Sequence, residues 1–177
     1  MKKILMMLAM VLVLIGCGSA NTGNSDNETE KSYKAGVASY TTVSAKDVTD
    51  GAGSAEVITT YAAVVVDAEG VIKYVHFDTA QNKAAIDGEG KVAIEAASTK
   101  KELGDNYGMG KYAANGEWYK QINHLESTMI GKTVAEFTGA ALDDAGKSLD
   151  ADVLSGCTVH VSEFVEVVNS SFKSEMK

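Results

Sequence analysis

Residues 56–77 read EVITTYAAVVVDAEGVIKYVHF, and this stretch decides the fold. Eleven residues rich in Val, Ile, Thr and Tyr (56–66) run into Asp67-Ala68-Glu69-Gly70. A second run, 71–77, then alternates apolar and polar side chains. β-branched and aromatic runs broken by a four-residue turn with Gly at its end predict two antiparallel strands. Working outward, 35–43 (GVASYTTVS) reads as a preceding strand, separated by the turn-prone stretch DVTDGAGS. Asp87-Gly88-Glu89-Gly90 reads as another turn before a short strand at 91–96. Connections this short favour antiparallel pairing.

Beyond residue 100 the period changes from two to that of a helix. Trp118, Ile122, Leu125 and Met129 share one helical face, with Asn115 read as N-cap and Gly131 as C-cap. Thr133-Val134-Ala135-Glu136 has the form of a capping box opening a short helix that ends before Asp143-Asp144-Ala145-Gly146. Phe164, Val165, Val168 and Phe172 repeat the stripe, with Ser162 as the expected N-cap. The expected class is α+β, an antiparallel β-sheet followed by packing helices in a single domain over 33–177.

At the other end, Lys2 and Lys3 precede an unbroken apolar run from Ile4 to Ile15, then Gly16 and Cys17. A basic start and twelve apolar residues read as a secretory signal, too short to span a bilayer. Leu14-Ile15-Gly16-Cys17 resembles the bacterial lipobox, which implies cleavage after residue 16 and lipidation of Cys17. Residues 18–32 (GSANTGNSDNETEKS) are small and polar, a flexible linker. The expected location is therefore the outer face of the cell membrane, with the lipid bilayer as a partner through Cys17.

Composition narrows the function classes. The 177 residues carry a formal charge of −8, and all sixteen basic residues are Lys. Loss of the leader removes Lys2 and Lys3 and takes the charge of the remaining 161 residues to −10. No basic patch able to neutralise a run of phosphates can be assembled, so nucleic acid is not an expected partner. Two cysteines, one of them Cys17, give no disulfide framework and no multi-cysteine metal site. Redox chemistry on such a chain requires an organic cofactor.

The stretch that carries chemistry is Asp152-Val153-Leu154-Ser155-Gly156-Cys157-Thr158. Ser155-Gly156 reads as a turn that presents the Thr158 hydroxyl just ahead of the last helix. The N–H groups at that helix start suit a phosphate. The stretch resembles the flavinylation motif D-x-x-[ST]-G-A-T of the bacterial FMN-binding domain family, found in sodium-pumping quinone reductases and in lipoproteins of Gram-positive extracellular electron transfer. Residues 99–109 (TKKELGDNYGM) and 117–121 (EWYKQ) are similar to the middle segment of the same lipoproteins. The resemblance implies FMN joined to Thr158 through a phosphoester by a flavin transferase. It further implies that Asp152, Ser155 and Gly156 shape the site, with Cys157 standing where the motif has Ala. A membrane redox donor such as a quinone-linked dehydrogenase is the implied source of electrons.

Other residues carry weaker signals. Tyr107, Met109, Trp118 and Tyr119 offer flat or polarisable surface for a flavin ring. Trp118, on the apolar stripe, reads first as core, whereas Tyr107 and Met109 lie in a glycine-rich loop free of that demand. His76, His124 and His160 have no metal-ligand spacing, and only His160 lies near Thr158. Asp143, Asp144, Asp150 and Asp152 lack the spacing of a calcium loop and read as solvated. The sequence thus points to a lipid-anchored extracellular flavoprotein relaying electrons, a carrier more than a substrate-turning enzyme. The rival is a non-redox cell-surface lipoprotein acting as a binding or interaction module. With either, the apolar leader segment Ala9–Gly16 is a possible source of a signalling peptide.

Overall fold

The computed structural model describes residues 32–94 and 98–173. The leader, Cys17 and the linker readings lie outside the described residues. Four antiparallel strands in the order β1-β2-β3-β4 are followed by helices, the α+β arrangement expected. The strands are β1 (Tyr33–Thr49), β2 (Ala52–Asp67), β3 (Ile72–Asp87) and β4 (Val92–Ile94). The helices are α1 (Lys100–Leu103), α2 (Trp118–Met129), α3 (Val134–Thr138), α4 (Ala151–Leu154) and α5 (Ser162–Phe172). Two single turns of 3-10 helix, Gly104–Tyr107 and Met109–Lys111, lie between α1 and α2. No described helix is long and apolar enough to cross a membrane.

The first three strands are far longer than the apolar runs predicted. The turn between β1 and β2 needs only Asp50 and Gly51, both with positive φ (53° and 82°), the backbone that lets a two-residue hairpin follow strand twist. β3 continues through DTAQNKAAID, which pairs residue by residue with the first half of β2. This distal half is largely exposed, so no apolar alternation marks it in the sequence.

The core sits at the other half of the sheet. Thr60, Ala62, Val64 and Val66 of β2 alternate inward and meet Ile72, Val75 and Phe77 of β3. Onto this face pack Trp118, Ile122, Leu125 and Met129 of α2 and Phe164, Val167 and Val168 of α5. Phe77 and Phe164 have ring centroids 4.8 Å apart, and Trp118 lies 6.3 Å from Phe164. Gly36 in β1 lets α5 approach, since a Cβ there would sit 2.5 Å from the Ser171 carbonyl oxygen.

Beyond the three residues of β4, the free side of β3 is closed in pieces. Thr99 bridges Ala80, Asp78 accepts the Lys101 N–H, Glu126 accepts the Phe77 N–H, and Ile72 exchanges backbone bonds with Gly131 and Lys132. β1, on the opposite side, pairs only with β2 among the described residues.

Helix caps follow the sequence in part. The Thr133–Glu136 capping box is present, and a second one, Thr99–Glu102, opens α1. Gly131 (φ 87°) follows the C-cap of α2, which is Ile130 itself. Two expected caps are corrected. Glu117, not Asn115, precedes α2, and Val161, not Ser162, precedes α5; neither makes a side-chain cap bond. Ser162 already lies inside its helix, since the Gly146 carbonyl takes the Val161 and Ser162 N–H groups and fixes where the chain turns.

Candidate functional site

A cleft of about 400 Å³ opens where the sheet, α5 and the segment before α2 meet. It lies within the range of about 300–1,000 Å³ usual for small-molecule sites. Its walls include Tyr107, Met109, Trp118 and Phe164, and its polar groups include Thr79, Lys100, Lys147, Thr158, His160 and Glu163. Stretches far apart in sequence thus converge: strands β2 and β3, the segment from α1 to the start of α2, and the turn ahead of α5.

Each wall residue has an identifiable support. The loop bearing Tyr107 and Met109 is pinned by the buried Glu117, whose carboxylate accepts the Met109 N–H at 2.9 Å. Gly110 permits this, because a Cβ there would lie 2.8 Å from Glu117 Oε1. The Tyr107 hydroxyl donates to Gln81 at 3.4 Å. Lys100 Nζ stands 5.1 Å from the Tyr107 ring centre and 5.3 Å from that of Trp118, so one ammonium faces both aromatic surfaces. Trp118 is 5 % exposed, core by packing and cleft wall at its edge. Tyr119 is not among the lining residues; its hydroxyl donates to Asp105 at 3.3 Å.

Electrostatically the cleft opposes the chain that contains it. Two ammonium groups and one carboxylate line it, in a protein of net charge −8. That carboxylate, Glu163, accepts a bond from Thr60 at 3.0 Å, and Thr60 in turn contacts Thr79 at 3.1 Å. Because the Thr60 proton goes to Glu163, Thr79 must be the donor of the second bond. The expectation that the start of α5 supplies anion-binding N–H groups is corrected at Val161 and Ser162, whose amides bond the Gly146 carbonyl. Lys100 and Lys147 are the cations available to an anionic ligand instead.

Of the heptapeptide 152–158, only Thr158 lines the cleft. Residues 151–154 form α4, a turn of helix the sequence reading did not assign. Asp150 caps it by accepting from the Asp152 and Val153 N–H groups, and Lys132 beside Asp150 holds its carboxyl below the ordinary range. Asp152 acts through its main chain: its carbonyl accepts from His124 Nε2 at 2.8 Å and from the Ser155 hydroxyl at 2.7 Å. A carbonyl only accepts, so His124 carries its proton on Nε2. Gly156 lies flat against the His124 ring, where a Cβ would come within 2.6 Å of Cδ2 and Nδ1. Its φ is not in the left-handed region, so the glycine serves close approach here, not backbone freedom.

Cys157 is 1 % exposed and packs in the core beside Val153 and Val161. Burial pushes its thiol up to about 11. A small, mildly apolar side chain suits a position so buried. Among the other weighed residues, His76 is exposed in β3, 3.3 Å from Lys101 Nζ. The Asp143 carboxylate accepts turn amides from Ala145 and Lys147.

The sequence reading missed Gln121. It is fully buried on the apolar face of α2, and its Oε1 accepts both the Thr158 N–H (2.9 Å) and the Thr158 hydroxyl (3.2 Å). Its Nε2 donates to the Gly116 carbonyl at 3.0 Å. The available signal was a polar residue at 121, three residues after Trp118, beside the apolar positions 118, 122 and 125. Lys100, Lys147 and Glu163 were also missed, since isolated charged residues carry no motif.

Comparison of the chain with protein-family models, with curated proteins and with solved structures gives no match.

Proposed function

We propose that this chain is a lipid-anchored extracellular flavoprotein that carries FMN as a phosphoester on Thr158 and relays electrons outside the cell. The observation that carries the reading is the convergence in one cleft of a half-buried threonine hydroxyl, flat aromatic and thioether walls, and two ammonium groups. These features suit a ligand that is planar, apolar over its ring and anionic at one end. Tyr107, Met109 and Trp118 would contact the ring system, and Lys100 and Lys147 would neutralise charge. Bound flavin supplies a reversible acceptor of one or two electrons, which no side chain of this protein offers.

The chain's own part is attachment and shelter. Thr158 Oγ1 bonds to the phosphorus of a flavin phosphoanhydride; the anhydride P–O bond breaks, and the hydroxyl proton leaves with the departing phosphate or to solvent. An activated phosphoryl donor is needed because an alcohol and a phosphate monoester do not condense in water. The other cleft threonine, Thr79, is 2 % exposed whereas Thr158 is half-buried, so Thr158 is the available threonine nucleophile. The lipid at Cys17 would keep the carrier near a membrane donor, such as a quinone-linked dehydrogenase.

The test is co-expression of the full chain with a flavin transferase, followed by intact mass and in-gel fluorescence of the denatured protein. A mass increase of one FMN, lost in Thr158→Ala, is expected. No addition, or addition that survives Thr158→Ala, overturns the attachment. A flavin that adds but cannot be reduced and reoxidised overturns the relay.

A further inference from the structure

We infer that Gln121 is the positioning residue that holds the Thr158 hydroxyl with its proton turned away from the cleft and its lone pairs turned into it. The inference rests on the reading of Thr158 as the flavin-bearing residue and adds the group that selects its geometry.

The orientation of the Gln121 amide follows from its neighbours alone. The Thr158 N–H can only donate and the Gly116 carbonyl can only accept. Oε1 must therefore face Thr158 and Nε2 must face Gly116; a flipped amide would set donor against donor and acceptor against acceptor. With Oε1 so placed, the Thr158 hydroxyl 3.2 Å away is necessarily the donor of that bond. One proton of Oγ1 is thus directed to the buried side, and both lone pairs face elsewhere. Thr158 is a cleft residue, and an electrophile that reaches Oγ1 from the cleft would meet those lone pairs.

Full burial makes this hold rigid. Gln121 is 0 % exposed, with all three of its hydrogen bonds made inside the protein, so water does not compete for Oε1. An amide carbonyl is too weak a base to take the proton, so its role is orientation, not general-base catalysis. Orientation suffices for phosphoryl transfer through a loose transition state, where alignment of the attacking oxygen matters more than its early deprotonation. The bond forms between Oγ1 and phosphorus, the anhydride P–O bond breaks, and the proton passes from Oγ1 to the leaving phosphate or solvent. The Thr158 N–H bond to Oε1 survives that exchange and keeps the residue in place.

The experiment uses the full chain, unflavinylated and co-expressed with a flavin transferase. Gln121→Met keeps the volume and removes the acceptor. Covalent FMN incorporation, followed by intact mass, is expected to slow roughly 10- to 100-fold for Gln121→Met, the scale of a misaligned reacting group. Three-bond couplings of Thr158 in the unflavinylated wild-type chain should report one χ1 rotamer, and averaged rotamers in Gln121→Met. Incorporation into Gln121→Met at the wild-type rate overturns the inference. Averaged Thr158 rotamers in the wild-type chain also overturn it, and that reading needs no variant to fold. A wild-type chain that takes no FMN but shows the single rotamer sinks the flavin reading and leaves the orientation by Gln121 standing.

Discussion

Gly156→Ala offers a quantitative test of how the turn before Thr158 is built. The added Cβ would stand 2.6 Å from His124 Cδ2 and Nδ1, and closer still to Cγ. Ordinary carbon contacts lie near 3.5–4.0 Å, so the ring must recede by about 1 Å. His124 is not free to do so, because Nε2 donates to the Asp152 carbonyl at 2.8 Å, a bond that a shift of this size breaks. Overpacking costs about 1–3 kcal/mol and the lost hydrogen bond about 1 kcal/mol. Replacing glycine at a φ that alanine accepts returns about 0.5–1 kcal/mol through the unfolded chain. The net expectation is a loss of about 2 kcal/mol, on the order of 5 °C in Tm for a domain of this size. Urea denaturation followed by Trp118 fluorescence is the assay, since Trp118 is the sole tryptophan and is buried. The decisive arm is the double variant. His124→Ala removes the obstacle, so Gly156→Ala in that background should cost less than about 0.5 kcal/mol, a coupling of roughly 1.5–2 kcal/mol. A single variant within 0.5 kcal/mol of wild type, or strictly additive effects, would refute the reasoning.

Three further outcomes follow from other parts of the structure. The Cys157 thiol, raised from 9.0 to about 11, should carry a thiolate fraction about 100-fold below that of an unperturbed thiol at pH 8, so alkylation should be slow natively and fast in urea. Asp150 has its carboxyl lowered below 3.8 by Lys132, so its stabilisation is complete above that value and is lost as pH falls through the folded-state value. Asp150→Asn, which retains a capping oxygen, should flatten this part of the acid limb of a stability–pH curve. Phe164→Ala should remove about 3–5 kcal/mol in urea denaturation, because Phe164 contacts both Phe77 and Trp118.

The parts of the fold legible in sequence are those where one face is buried. β2 shows its alternation from Thr60 to Val66, and α2 shows its stripe from Trp118 to Met129, because burial selects apolar residues at those spacings. Residues 78–87 were not legible as strand. They pair by main-chain bonds in a half-exposed ribbon, and a residue such as Asn82 or Lys83 there answers to solvent. α4 escaped notice because four residues hold no period. At the site, Thr158, Tyr107 and Met109 were singled out from motif and loop composition, and they share one cleft. Gln121 was not, because a bond between residues 37 apart has no local signature. Gly156 was read as a turn residue and lies in a turn, but its neighbour in space, His124, sets the requirement for glycine there.

The unequal sides of the sheet bear on how copies of this protein can associate. Growth of a fibre by edge-to-edge strand addition needs two open edges on every molecule, one to receive and one to offer. β1 provides one such edge, and from Ala35 to Ala45 it carries no charged residue. The other side is interrupted by the three-residue β4, Thr99, Glu126 and Lys132, and among the described residues has no comparable length of backbone to give. Pairing of two described domains through β1 would therefore use up the one long edge each of them offers, and leave none for further growth.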